Sequence, residues 1–236
     1  MRNRQKGFGL VEAMVSLALG VIVVLGISQI FVSAKQTYLA QDASARMQED
    51  ARYALSRMVQ ELRMAGMFGC VSLNFLSNKP NSFDTPIDWV SGTSTLTIIT
   101  ANPASGMATS SNADWTIITD CRSTASVQNG VATPAAGQIA LPIRRVAYRL
   151  TDDTLQVSEG GGAFQTLMSG VSGFDIQFGQ AAAATDTYVS GNYVSPAAAD
   201  MARVRSVRIE LEMTDADGRV APQTYTVVAA LRNRLL

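Results

Sequence analysis

The sequence predicts an α+β protein: one long N-terminal α-helix, apolar at first and then amphipathic, packed on a C-terminal antiparallel β-sheet domain. Three patterns in the 236 residues predict it. The run Ala13–Ala34 carries no charge, apolar residues recur every three or four positions from Met47 to Ala65, and short β-branched stretches fill the chain from residue 95 onward.

The first element is the apolar run. At 1.5 Å per residue it is long enough to cross a hydrocarbon core of about 30 Å, and longer than the apolar region of about 7–15 residues in a secretory signal peptide. It therefore reads as a retained anchor. Arg2, Arg4 and Lys6 precede it and only scattered charges follow, so the positive-inside rule keeps residues 1–7 in the cytoplasm and sends the rest outward. Glu12 does not fit a plain anchor, because an ionised carboxylate within a membrane segment costs about 2.5–3.5 kcal/mol even on permissive insertion scales. A cut after Gly7 would place a new amino terminus on Phe8, one helical turn from Glu12 and close enough for an ammonium–carboxylate pair, within the chain or with a neighbour. The plainer alternative is an anchor that tolerates an interfacial glutamate.

The second element continues the same helix. Met47, Ala51, Leu55, Met58, Leu62 and Ala65 fall on one face. Asp42, Arg46, Glu49, Asp50, Arg52, Arg57, Glu61 and Arg63 occupy the other, with Asp42/Arg46 and Arg57/Glu61 spaced i, i+4 for ion pairs. No proline occurs before Pro80, so one helix from Phe8 to Ala65 is expected, about 85 Å long. Its division is 8–34 for the apolar part and 35–66 for the amphipathic part. Gly20 and Gly26 either permit close packing or local loosening of the helix, or are neutral in an apolar setting. Gly66 and Gly69 stop it before Cys70.

The third element, residues 67–236, reads as strands and turns. Thr95–Thr100, Trp115–Thr119, Ile143–Leu150, Leu155–Ser158, Val171–Phe178, Val204–Met213 and Thr224–Leu231 are the expected strands. In Val207, Ile209, Leu211 and Met213 the apolar side chains face one way while Arg208, Glu210 and Glu212 face the other, as a half-buried antiparallel strand requires. Asn102–Ala113 and Gly179–Ala199 read as long surface loops. Asp215, Asp217 and Gly218 have the alternating carboxylates of a calcium loop but lack its downstream acid, so a hairpin turn with Gly218 at positive φ is the expectation; Asp152 and Asp153 read as a turn too. Gly160–Gly162 lacks the context of a phosphate loop and reads as a flexible connection.

Composition narrows the function. Lysine plus arginine equals aspartate plus glutamate at 19 each, with no basic cluster beyond the first six residues, which argues against nucleic-acid binding. Histidine is absent, which removes Ser-His-Asp, Cys-His and HExxH chemistry and argues against an enzyme. No cofactor and no metal are expected. Cys70 and Cys121 are too few for a zinc site without help; a disulfide between them fits an exported domain, two buried thiols a cytoplasmic one. Without residues 1–7 the chain keeps 16 cations against 19 acids.

At KGFGLVEAMVSLALG the sequence resembles the signal of type IV pilins and type II secretion pseudopilins: a basic leader, then Gly7, Phe8 and Glu12 opening an apolar helix. The resemblance implies a pilin-like fold, cleavage after Gly7 by a prepilin peptidase, methylation of Phe8, and a role for Glu12 in docking into a filament. SAKQTYLAQDASARMQEDARYALSRMVQELRMAGMFGC, GVSGFDIQFG and the terminal ALRNRLL are similar to the PilW-like minor pilins. That likeness implies a subunit of the inner membrane of a Gram-negative bacterium, with a periplasmic domain, that joins other minor pilins and the major pilin at the pilus tip, where a large tip adhesin is a further partner the likeness suggests. It implies roles in priming assembly, adhesion and twitching motility. The J-type pseudopilin of type II secretion shares the plan, and a membrane-anchored periplasmic binding domain is the alternative of a different class.

Overall fold

The computed structural model describes residues 9–102, 113–231 and 233. The leader, Gly7, Phe8 and nearly all of the expected loop Asn102–Ala113 lie outside the described residues, as do four of the last five residues.

Helix α1 runs unbroken over Leu10–Arg63, 54 residues or about 80 Å. Gly20 and Gly26 sit within it with open space around them. Met64 closes the helix, its N–H donating to carbonyls of the last turn, and Gly66 then takes φ +71, a conformation that suits glycine. The Gly66 N–H donates to the Ile99 carbonyl at 2.9 Å, and so the helix end is stitched directly to the sheet.

Among the described residues, ten strands form two sheets, with every strand pair antiparallel. The larger sheet comprises β1 (Ile87–Val90), β2 (Thr95–Ala101), β3 (Trp115–Thr119), β4 (Ala125–Asn129), β5 (Ile139–Thr151), β6 (Thr154–Glu159) and β7 (Gln165–Ser169). The smaller comprises β8 (Val171–Gln180), β9 (Val204–Met213) and β10 (Gln223–Ala230), in the order β10-β9-β8. The α+β architecture read from the sequence is thus the architecture of the molecule.

The long strand β5 organises the larger sheet. It pairs β2 through Ala101↔Ile143 to Thr95↔Arg149, β3 through Ile139–Ile143, and β6 through Val146–Thr151. Pro142, which has no N–H to donate, faces past the last residue of β2, where that ladder ends; its carbonyl still accepts from the Asn102 N–H at 2.9 Å. Asp152 and Asp153, with φ +50 and +53, make the two-residue turn from β5 to β6, the conformation a tight hairpin needs at both positions.

Among the described residues two apolar clusters result. The main one joins Met47, Ala51, Leu55, Met58 and Leu62 of α1 to Leu96, Ile98, Val146 and Tyr148 of the larger sheet and Ile176, Ile209 and Leu211 of the smaller. A second lies past the helix end, where Phe68 stacks on Phe83 at 4.5 Å between ring centres and Phe83 meets Trp115 edge-on at 5.3 Å.

The structure corrects the sequence reading in two places. Glu61 and Arg57 do not pair along a solvated helix face: Glu61 is buried and accepts from Arg144 of β5 at 2.7 Å, while Arg57 pairs with Glu159 of β6. Arg144 donates to Glu159 as well, at 2.7 Å, which closes a charged cluster between helix and sheet. Three strands, β1, β4 and β7, form where none was expected, since four or five residues with polar members give too little alternation to stand out. The stretch 181–199 is a surface loop as expected, with Gly179 and Gln180 belonging to β8, and it is tied to the smaller sheet: the Val194 and Phe178 backbones exchange two hydrogen bonds, and Arg205 donates to the Asp186 and Ala184 carbonyls at 2.7 and 2.6 Å. Asp42 and Arg46, in contrast, pair as their spacing suggests, at 3.1 Å.

Candidate functional site

Two features stand out around α1: its projecting N-terminal half and the disulfide beyond its C-terminal end. From Leu10 to Tyr38 every residue of the helix is exposed, including Leu10 at 76%, Ile30 at 71% and Phe31 at 69%. Such side chains gain about 1.5–3 kcal/mol each when fully buried, so an all-round apolar rod is stable only inside a membrane or against other apolar helices. Its most apolar window has a mean hydropathy of 2.5, with none of it buried against the domain.

Gly9, in an extended conformation, caps the start of α1, and its carbonyl accepts from the Ala13 N–H at 3.1 Å. Glu12 lies in the first turn, where the helix dipole favours negative charge. The Glu12 side chain is exposed, and it pairs with no cation among the described residues. Gly7 and Phe8, the cleavage and ion-pairing residues expected from the sequence, lie outside the described residues.

At the other end of α1, Cys70 and Cys121 form a disulfide, with a Cα–Cα separation of 5.6 Å across 51 positions. Gly69 just before it takes φ +80 and approaches so closely that a Cβ there would lie 2.3 Å from Leu141 Cδ1. Cys121 sits at φ +59 in the β3–β4 turn, which Asp120 holds: its carboxylate accepts from the Ser123 hydroxyl and from the Thr124, Arg122 and Ser123 N–H groups. Those bonds, the Ser123 hydroxyl foremost, keep the Asp120 carboxyl well below the usual carboxylate range. The bridge thus joins the segment leaving α1 to the far end of the larger sheet, beside the Phe68–Phe83–Trp115 cluster. An Asp before a run of small polar residues was the available signal for this turn.

Asp215 and Asp217 are engaged in the β9–β10 turn. Asp215 accepts from the Arg219 N–H at 2.7 Å, Asp217 pairs with the Arg219 guanidinium, and Gly218 takes φ +65. Their geometry is that of a turn. Among the described residues no three His, Cys, Asp or Glu side chains are grouped to hold a metal ion.

Comparison with known proteins adds one match: residues 2–28 fit the family model described as the prokaryotic N-terminal methylation motif. No curated protein is matched by the sequence. The motif covers the basic leader, Glu12 and most of the apolar half of α1, the part of the molecule that the domain leaves uncovered. Together with the helix-on-sheet architecture, it supports placing the chain in the superfamily of type IV pilins and pseudopilins.

Proposed function

We propose that the chain is a minor pilin of a type IV pilus. It is cut after Gly7 by a prepilin peptidase, methylated on Phe8, and held in the inner membrane by the apolar half of α1 until it enters a complex with other minor pilins and the major pilin at the pilus tip. The carrying observation is Glu12, unpaired among the described residues, in the first turn of an exposed apolar helix whose sequence fits the methylation motif. A carboxylate there needs a cation once apolar surroundings close over it, and the amine freed on Phe8, on the same chain or a neighbour, supplies one. The disulfide supports a periplasmic position for the domain, because such bridges persist in oxidising compartments. In this reading the complex primes polymerisation, and adhesion and twitching depend on it.

Two experiments test the reading. The mass of the N-terminal peptide from cells with active prepilin peptidase is expected to begin at a methylated Phe8; an intact Met1 form would overturn it. Glu12→Ala should leave membrane insertion unchanged and lower incorporation into sheared pili by about tenfold or more, given that an amine left buried without its partner costs several kcal/mol. The J-type pseudopilin of type II secretion carries the same kind of signal. Deleting the gene separates the two roles: loss of surface pili and twitching fits the pilin, whereas normal pili with failed exoprotein release fits the pseudopilin.

A further inference from the structure

Among the described residues, the sheet edges are protected, with one exception. Strand β1 has only four residues and carries Asp88. The edge of β4 is covered by Ser77, which donates to the Ala125 carbonyl and accepts from the Val127 N–H at 3.1 and 3.0 Å. Strand β7 has five residues and a register break against β6. Strand β8 is covered toward its two ends, at Val171 by Asp153 and at Phe178 by Val194. Short length, charge, bulges and covering segments are the devices by which proteins stop edges from recruiting other chains.

Strand β10 has none of them. Its eight residues, QTYTVVAA, contain no charge, proline or glycine, and they pair with β9 alone from Gln223↔Met213 to Ala230↔Ser206. Every second N–H and C=O on its other edge therefore faces outward, without a protein partner among the described residues. Alongside runs a groove of about 630 Å³ between this strand and α1. Leu55 and Val59 give it an apolar floor, Tyr225 and Val227 are half-buried along the strand, and Arg52 and Arg63 stand exposed on the helix side. No carboxylate lines it; Glu49 borders the neighbouring groove instead. Neither arginine forms an ion pair among the described residues.

We infer that this groove receives an extended, acidic segment of a different protein, which adds to β10 as a fourth strand of the smaller sheet. The free ladder supplies main-chain hydrogen bonds, the apolar floor accepts alternate side chains, and the two arginines select carboxylates on the side facing the helix. A second copy fits poorly. Two β10 edges pairing antiparallel about a twofold normal to the sheet would turn their α1 helices in opposite directions, and the two apolar halves could not then enter one membrane from the same side. The inference needs the apolar half of α1 to be an anchor but does not need Glu12 to guide assembly, so either can fail alone.

The test uses the full chain in detergent micelles and amide hydrogen exchange over residues 223–230. Three synthetic ten-residue probes are compared: threonine and valine alternating with glutamate, the same with lysine, and the glutamate peptide N-methylated at alternate amides. The glutamate peptide is expected to slow exchange at alternate β10 amides by about tenfold or more, the other two to leave it unchanged, and Arg52→Glu to weaken the glutamate peptide by about tenfold without moving the thermal midpoint. Equal protection by the lysine peptide, protection by the N-methylated peptide, or no protection by any probe would overturn the inference. So would β10 amides that become protected without peptide as the protein concentration rises, which would point to a second copy.

Discussion

The two halves of α1 have the same backbone and opposite surroundings. From Leu10 to Tyr38 apolar side chains point in every direction and all are exposed, whereas from Ala43 to Leu62 they form one stripe, with Met47, Ala51, Ala54, Leu55, Met58, Val59 and Leu62 buried on the sheets. A stripe addresses one neighbour; an all-round apolar surface addresses a solvent. Hydrophobicity in the first half thus contributes nothing to the packing of the domain, and in the second it supplies much of the main core. One continuous helix transmits the position of an anchor to the domain without a flexible joint, because neither Gly20 nor Gly26 interrupts it.

The strongest way to break that comparison is to place the same charge in each half. Leu62, fully buried against both sheets, becomes an unpaired carboxylate beside Glu61 in Leu62→Asp, and the domain should lose about 4–5 kcal/mol or more, enough to unfold it or nearly so in a denaturant titration. Ile22→Asp should leave the denaturation midpoint of the domain in detergent unchanged. Its cost, about 2.5–3.5 kcal/mol, should appear instead as failed membrane insertion in a fractionation assay. A midpoint that falls with Ile22→Asp would mean that the first half touches the domain after all.

The disulfide sharpens where the packed half of the helix ceases to matter. Cys70 and Cys121 lie beyond α1, and their bridge closes a loop spanning β1, β2 and β3. Replacing both with serine should lower stability by about 4 kcal/mol in the chain-entropy account. Exchange at the amides of β8, β9 and β10 should respond least at the level of local opening, because their contacts with α1 do not pass through the bridge. Local opening spreading evenly over both sheets would show that the two clusters form one cooperative unit.

What the sequence made legible follows from range. The helix, its stop at Gly66, the alternation of Val207 to Met213 and the Asp152–Asp153 turn depend on neighbours a few positions apart, and each is where local pattern puts it. Glu61 was misread for the opposite reason. Its spacing from Arg57 is as good for a surface pair as any, and only the arrival of Arg144, 83 positions later, turns that helix face inward. Strands β1, β4 and β7 likewise owe their existence to partners rather than to propensity. The bare edge of β10 has the same character, since the sequence QTYTVVAA reads as a strand but says nothing of which side lacks a neighbour. Gly7, Phe8 and Glu12 are legible as a motif for the same reason as the helix, since they lie within one or two helical turns of each other.

Glu61 also offers the smallest test of the boundary between the halves, and one with a defined sign. Burial raises its carboxyl above the ordinary value of 4.5, Arg144 pulling the other way without cancelling the shift. A carboxyl raised on folding contributes stability that is fully present below its ordinary value and is lost as pH rises through the higher folded value. On acidification from neutral pH toward 4.5, the wild-type chain should therefore gain stability relative to Glu61→Gln, which has no proton to take up. Asp120 acts in the other direction and in a lower window: its contribution is present above its ordinary value of 3.8 and is lost only as pH falls below it, so the two do not mask each other. Denaturant midpoints of the two proteins between pH 7 and 4.5 give the comparison. If the wild-type chain instead loses stability relative to Glu61→Gln as the solution is acidified, the attraction of Arg144 outweighs burial, and the charged cluster between α1 and β5 acts as a clamp that acid releases rather than as a strain that acid relieves.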